Sequence, residues 1–264
     1  MKIGFIGNGN MGGAIIGGII NSGIEAPQNI MVSDINFDGL QNTAQKYGVK
    51  ISTDNCETTK NSDILFLSVK PNVVYKVIDE IKKCVSSKTI IVSIVAGQSI
   101  EKLENAFGKA IKLVRVMPNT PALVGEGMSG VTANLNVNEE ELAKVISVFD
   151  SIGKAEIVPE KLMDAVTAVS GSAPAYVFMF IEAMADAAVM GGMPRSQAYT
   201  FAAQAVLGSA KMVMDTGKHP AELKDMVCSP SGTTIEAVAI LEKEGMRNAI
   251  IKAMKACMDK SSSM

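Results

Sequence analysis

Residues 2–34 constrain this chain more than any other stretch. Lys2-Ile3-Gly4-Phe5-Ile6 reads as a short buried strand, and Gly7-Asn8-Gly9-Asn10-Met11-Gly12 follows without a break. Residues 11–22 then carry apolar side chains on nearly every face, with Asn10 placed to cap a helix and Gly23 to stop it. Residues 30–33 read as a second strand, which ends in Asp34. The order is strand, glycine-rich turn, helix, strand, acid. Gly7 permits a tight turn, Gly9 lets backbone approach a pyrophosphate, and Gly12 lets the helix pack closely on the strand. The helix N-terminus offers N–H groups and the positive end of its dipole to phosphates. Asp34 lies about 20 residues past Gly12, the spacing of a carboxylate that accepts from a ribose. A glycine-rich turn alone is generic. Here strand, helix, spacing and acid agree on a dinucleotide site formed by Gly7, Asn8, Gly9, Asn10, Met11, Gly12 and Asp34.

Two rival readings of the same stretch fail. Met1 and Lys2 before an apolar run resemble a signal peptide, but Asn8, Asn10 and the glycines break up a helical apolar segment. Gly13 and Gly17 have the spacing of a membrane-helix dimer motif, but Glu25 and Pro27 cut the segment short of a span.

A chain of 264 residues forms one large domain or two smaller ones. With 47% hydrophobic residues it has ample material for a core. A net charge of −2 and a pI near 5.6 leave no electrostatic footprint for nucleic acid. The four cysteines, Cys56, Cys84, Cys228 and Cys257, form no CxxC pair. Their spacing argues against zinc, gives no metal site, and demands no disulfide, so a reducing cytoplasm is the simplest compartment.

Beyond Asp34, helices are expected over residues 36–47, 55–60, 72–84, 99–107 and 139–151, with Val73, Val74, Val77, Ile78 and Ile81 facing inward on the third. Asn138 and Glu141 fit a capping box. Strands are expected over 49–51, 64–69, 89–95, 111–116, 128–133 and 155–158. Alternating strands and helices imply a parallel, doubly wound sheet with helices on both faces. Ligands of such sheets bind beyond the carboxyl ends of the strands. The loops at Ser68-Val69-Lys70-Pro71, Ala96-Gly97 and Met117 to Pro121, which includes Asn119, should therefore join Gly7 to Gly12 and Asp34 in one crevice, and Asn55 is added to the cofactor side. Each loop also has a plain reading, as a strand terminator or a shaped turn.

From residue 160 the alternation stops and the remainder reads helical, giving domains at 1–159 and 160–264 and holding most of the 17 methionines. Residues 173–190 are apolar around almost the whole circumference and are long enough to cross a membrane. Glu182 and Asp186 in that stretch would each cost about 2.5–3.5 kcal/mol in lipid, so a helix buried in protein is the better reading. Residues 194–215 are similarly apolar, and a partner subunit is expected to cover both, with methionine supplying adaptable packing. A turn at Ser229 to Thr233 then enters another helix, with Thr233 and Glu236 spaced as a capping box. That turn gathers hydroxyls and N–H groups suited to a carboxylate or phosphate, and ordinary capping is the alternative.

These stretches match a family. Ile6 to Gly12, Val69-Lys70-Pro71, Met117-Pro118-Asn119-Thr120-Pro121, Ser170-Gly171-Ser172-Ala173-Pro174-Ala175-Tyr176, and Leu223-Lys224-Asp225 through Thr234-Ile235 run through the chain in order. Together they resemble the Δ1-pyrroline-5-carboxylate reductases of proline synthesis. The resemblance implies an N-terminal Rossmann-type sheet and an all-helical dimerisation domain, a homodimer that in some relatives joins a larger ring, and reduction of a cyclic imine to L-proline by NADH or NADPH. It further implies that Asn119, Ser229, Ser231, Gly232, Thr233 and Thr234 bind substrate, with Thr234 catalytic near the imine nitrogen. Ser231 and Thr233 stand where relatives often carry Gly and Ala. A protonated imine is already an electrophile, so no nucleophile is needed, and Cys228 reads as packing and His219, beside Pro220, as a cap or surface residue. Asp34 and the lack of Arg or Lys in Ile35-Asn36-Phe37-Asp38, with Lys46 too distant, favour NADH; the alternative is that Asp34 caps the following helix.

Two other functions compete. The β-hydroxyacid dehydrogenases share this architecture and resemble one another in a Lys followed three residues later by Asn, but Lys211 is followed by Asp215 and no such Asn. A nucleotide-bound regulatory or scaffold protein would bind cofactor without turnover.

Overall fold

The computed structural model describes residues 1–264 and divides into two compact units, Met1–Ser172 with Cys257–Met264, and Ala173–Ala256. The first unit runs β1 (Ile3–Ile6), α1 (Asn10–Asn21), β2 (Ile30–Ser33), α2 (Phe37–Tyr47), β3 (Lys50–Ser52), α3 (Asn55–Lys60), β4 (Ile64–Leu67), α4 (Val74–Ile81), β5 (Ile90–Ser93), α5 (Ile100–Phe107), β6 (Lys112–Met117), β7 (Gly127–Ala133), α6 (Glu139–Asp150), β8 (Gly153–Ile157) and α7 (Met163–Val166). The eight strands form one sheet in the order β3-β2-β1-β4-β5-β6-β7-β8. Strand order reverses at β1, where a doubly wound sheet opens its ligand crevice.

The expected parallel sheet holds from β3 to β6, but β7 runs antiparallel to β6, and β8 is again parallel to β7. A parallel return needs a crossover of a dozen or more residues, usually with a helix. Only a 3-10 turn, Thr120–Val124, lies between β6 and β7, so the chain doubles back.

Central strands are buried on both faces because helices cover both. One cluster packs Ile15, Ile16, Ile19, Leu40, Val145 and Phe149 on one face, and another packs Ile78, Ile81, Leu103 and Phe107 on the other. Phe5 stacks on Phe66 at 4.5 Å between ring centroids, and Phe149 tilts against Phe66 at 6.1 Å. Helix ends are set by local chemistry. Asn36 accepts from the Gly39 N–H, and Ser99 accepts from the Lys102 N–H. Asn138 and Glu141 form the expected capping box. Glu141 also pairs with Lys112, which holds its carboxyl below the usual range.

Several local expectations need correction. Asn10 is the first helical residue and Gly9 is the N-cap, with no side-chain cap. Val73 is not core: it lies in a 3-10 turn, Pro71–Val73, and is 37% exposed. The reading that nothing demands a disulfide also fails, since Cys56 and Cys84 are bridged with their Cα atoms 5.7 Å apart. They are 28 residues apart in the chain, and only the packing of α3 beside α4 brings them together. Cys228 and Cys257 are free. The sheet ends at Ile157, close to the expected boundary at 159/160, whereas the compact units part at Ser172. The last residues rejoin the first unit, where the Ser261 hydroxyl donates to Asp164 at 2.6 Å.

The second unit is helical: α8 (Ala173–Met190), α9 (Arg195–Thr216), α10 (Pro220–Val227), α11 (Thr233–Lys243) and most of α12 (Met246–Ser262). α8 and α9 pack on each other through small residues, Ala185, Ala198 and Ala202, which are buried. The larger apolar side chains point away from that contact: Phe178, Met179 and Phe201 are 62%, 69% and 66% exposed in the single chain. The helical stretch Glu160–Met190 is long and apolar enough to cross a membrane by length and composition only, and 6% of its apolar window is buried within the chain.

Candidate active site

A cleft of about 390 Å³ opens beyond the carboxyl ends of β1, β2 and β4. Its lining includes Gly7, Asn8, Gly9, Asp34, Asn55, Ser68, Val69 and Lys70, so eight of the expected cofactor residues come together. The backbone explains why. Gly7 has φ +101°, and a Cβ there would sit 2.5 Å from the Ser68 carbonyl oxygen. A Cβ on Gly12 would meet the Gly7 carbonyl at 3.0 Å, which is the close helix–strand approach the spacing predicts. Gly9 faces open space, with nothing within 4 Å of a Cβ. The α1 N-terminus therefore presents N–H groups without a competing side-chain cap. An accessible backbone over an uncapped helix start fits a pyrophosphate.

The Asp34 carboxylate accepts from the Asn8 N–H at 2.7 Å and from the Asn36 N–H at 2.9 Å. It thus ties the glycine turn to the segment leading into α2, but the cap of that helix is Asn36, so the capping alternative for Asp34 does not hold. A carboxylate has about four acceptor positions, so capacity remains for ribose hydroxyls. Asn55 takes a hydrogen bond from the Ser33 hydroxyl at 2.8 Å and donates to Glu80 at 2.8 Å.

The other expected cofactor residues lie off this lining. Asn10, Met11 and Pro71 sit in or beside the elements that frame it. Ala96 and Gly97 follow β5, and Gly97 (φ +72°) lies under Met264, whose Cβ is 2.6 Å from where a Gly97 Cβ would stand. Asn119 is buried, with its amide donating to the Ser170 carbonyl at 3.1 Å and accepting from the Met128 N–H at 2.9 Å. It joins the β6 loop to the π-helical turn Thr167–Gly171 and to β7. Sequence reasoning missed Val73, Lys76, Val77 and Glu80, which line the cleft from the turn before α4 and from α4 itself. Their three- and four-residue spacing marks one helix face, but the valines on it read as core.

In the second unit, Ser229 to Thr234 connect α10 to α11. Gly232 is the N-cap and makes no side-chain cap, so the expected box of Thr233 with Glu236 is absent and Thr233 and Thr234 open the helix. The Gly232 N–H donates to the Ser229 carbonyl at 3.1 Å, and a Cβ on Gly232 would press to 2.3 Å from the Ser229 hydroxyl. Ser231 has φ +54° and is the one non-glycine residue in the left-handed region. That conformation costs a side chain something and suits glycine best. His219 caps α10, its Nδ1 accepting from the Ala221 N–H at 3.2 Å.

The model of the pyrroline-5-carboxylate reductase dimerisation family matches residues 160–264, and that of the coenzyme F420-dependent NADP oxidoreductases matches residues 2–97. Over 98% of its length the chain is 53% identical to a pyrroline-5-carboxylate reductase of Escherichia coli, covering 97% of that protein. The chain belongs to the pyrroline-5-carboxylate reductase family. A relative from Methanosarcina acetivorans is 46% identical over 98% of the chain and 96% of its own length. A solved pyrroline carboxylate reductase of Plasmodium falciparum with NADP bound superposes with a TM-score of 0.91, at 35% identity, over 100% of this chain and 97% of that one. A 3-hydroxyisobutyrate dehydrogenase of Mycobacterium tuberculosis shares the fold alone, with a TM-score of 0.55 at 14% identity. The family makes this chain an oxidoreductase with a nicotinamide cofactor and a dimerisation region.

Proposed function

We propose that the protein reduces Δ1-pyrroline-5-carboxylate to L-proline. The observation that carries this reading is an alignment of 53% identity running through both the glycine-turn cleft and the Ser229 to Thr234 turn. The nicotinamide cofactor, when bound, supplies the hydride. The chain's own residues bind and orient. Gly7 to Gly12 and the α1 N-terminus hold pyrophosphate, and Asp34 and Asn55 hold the adenosine side. Residues 1–159 carry this work, and 160–264 carry dimerisation and substrate binding. The uncapped start of α11 offers N–H groups and the Thr233 and Thr234 hydroxyls to the substrate carboxylate, with Thr234 nearest the imine nitrogen. The protonated imine needs no nucleophile, so positioning is the main catalytic demand. NADH oxidation assayed with pyrroline-5-carboxylate, beside NAD+ reduction assayed with a panel of 3-hydroxy acids, tests the reading. Turnover of the hydroxy acids alone, or cofactor binding with no turnover, overturns it.

Charge-assisted hydrogen bonds contribute about 1.5–3 kcal/mol each. Thr234→Ala is therefore expected to lower kcat/KM by about 10- to 100-fold while NADH affinity stays unchanged. Unaltered kinetics in both Thr234→Ala and Gly232→Pro would remove this turn from the substrate site.

The exposed faces of α8 and α9 support a homodimer through the helical region, with the substrate turn of one subunit serving the cofactor cleft of another, and dimers joining into a ring. The protein works in the cytoplasm, with neither nucleic acid nor membrane as partner. A fully active monomer in sedimentation would contradict the shared site.

NADH is the preferred cofactor. A 2′-phosphate beside Asp34 would meet a carboxylate whose acceptors leave it no donor. Lys70 and Lys76 on the cleft wall work in the other direction, so the expected preference is about tenfold, or about 1.4 kcal/mol. Asp34→Ser should erase it and Lys76→Ala should widen it, read as kcat/KM with each cofactor. A wild type favouring NADPH would refute the assignment.

A further inference from the structure

We propose that Cys56 and Cys84 form a reversible redox site that sets the grip on the adenosine half of the cofactor. This rests on the nicotinamide cleft of the family and not on the identity of the substrate.

Part of the cleft lining is built from two elements: Asn55 opens α3, and Lys76, Val77 and Glu80 lie on α4. Specific links join those elements. One is the Asn55–Glu80 hydrogen bond at 2.8 Å. Another is the bridge from Cys56, the neighbour of Asn55, to Cys84, one turn past Glu80. Both cysteines are partly exposed, so a small thiol reagent can reach them. Their Cα separation of 5.7 Å lies within the ordinary range for a bridge, so the bond forms with α3 and α4 where they stand. The reduced state is also provided for, because the Cys56 sulfur lies 3.3 Å from the Glu80 carbonyl, an acceptor for its S–H. A disulfide in a reducing compartment is usually transient and redox-sensing.

The chemistry closes with a low-molecular-weight disulfide as oxidant. The thiolate of one cysteine attacks a sulfur of that disulfide, forming a mixed disulfide and expelling one small thiolate. The second cysteine attacks the mixed disulfide at the protein sulfur, closing the Cys56–Cys84 bond and expelling the second. Two protein thiols lose two protons and two electrons, and the small disulfide leaves as two thiols. The closed bridge holds α3 against α4 with Asn55 and Glu80 in register. The open form leaves that wall freer, and binding must then order it.

The test equilibrates the full chain in mixtures of reduced and oxidised glutathione, counts alkylated thiols by mass, and measures NADH affinity by fluorescence without substrate. The dissociation constant is expected to be about three- to tenfold weaker in the dithiol form. Cys56→Ser should stay at the weaker value in every mixture, and the double variant Cys228→Ser, Cys257→Ser should keep the full response. Equal affinity in both forms overturns the proposal. So does a response that survives in Cys56→Ser, or thiols at 56 and 84 that stay alkylatable under oxidising conditions. Because the readout is binding, a failed substrate assignment leaves it intact.

Discussion

Replacing Gly7 by alanine will cut NADH affinity by at least about 100-fold and lower the melting temperature as well. The new Cβ would stand 2.5 Å from the Ser68 carbonyl oxygen and 2.7 Å from its carbon, both backbone atoms fixed by β4. The Ser68 N–H donates to the Ile6 carbonyl at 2.9 Å, so the neighbour cannot retreat without loosening the β1–β4 ladder. The φ of +101° adds strain of order 1–3 kcal/mol for a residue with a side chain. Overpacking adds about 1–3 kcal/mol more. Relief has to come from moving the turn that carries Asn8 and Gly9, which displaces the N–H groups from the pyrophosphate. Direct NADH titration decides this. An alanine variant that binds NADH normally would show that the turn tolerates a shift and that Gly7 is not required there.

Phe66→Ala should destabilise the sheet unit by about 3–5 kcal/mol, the usual cost of emptying a buried phenylalanine site. Phe66 is fully buried, stacks on Phe5, and meets Phe149 from α6 across the same cluster. Strands on both sides hold its backbone, so the hole has little room to collapse. For a unit of this size the loss corresponds to roughly 6–20 °C in melting temperature. Phe37→Ala, at a side chain 51% exposed, should change stability by no more than about 0.5 kcal/mol. A small effect at Phe66 would mean that the aromatic cluster repacks freely.

Much of the sheet unit was legible because its signals are local. Asn138 and Glu141 form the capping box they were expected to form, and the apolar runs at 30–33 and 64–67 are strands. What escaped depends on space rather than sequence. An apolar run such as β7 reads alike in either direction, and only the shortness of the preceding connection reveals its reversal. The Cys56–Cys84 pair is invisible until α3 and α4 are placed side by side. Val73 looks like core because a cleft wall is as apolar as a core, whereas Val77 is both buried in the cluster and on the cleft lining. Gly232 shows the limit of spacing rules: Thr233 and Glu236 have the separation of a capping box, yet the helix begins one residue too early for it. At Ser231 the cost of a side chain in the left-handed region shows only with the φ of +54°.

The outward-facing Phe178, Met179 and Phe201 have a consequence for the living cell. If another copy covers these side chains, as proposed above, the folded form and the assembled form are nearly one state. Mass action then enters folding, because a species that binds only its native like is stabilised in proportion to the logarithm of its abundance. A newly made chain at low copy number holds its α8–α9 hairpin with apolar surface bare, open to chaperones and proteases. The same chain in a full pool is protected. On that proposal expression level acts as a folding variable for this protein, and dilution as a mild denaturant.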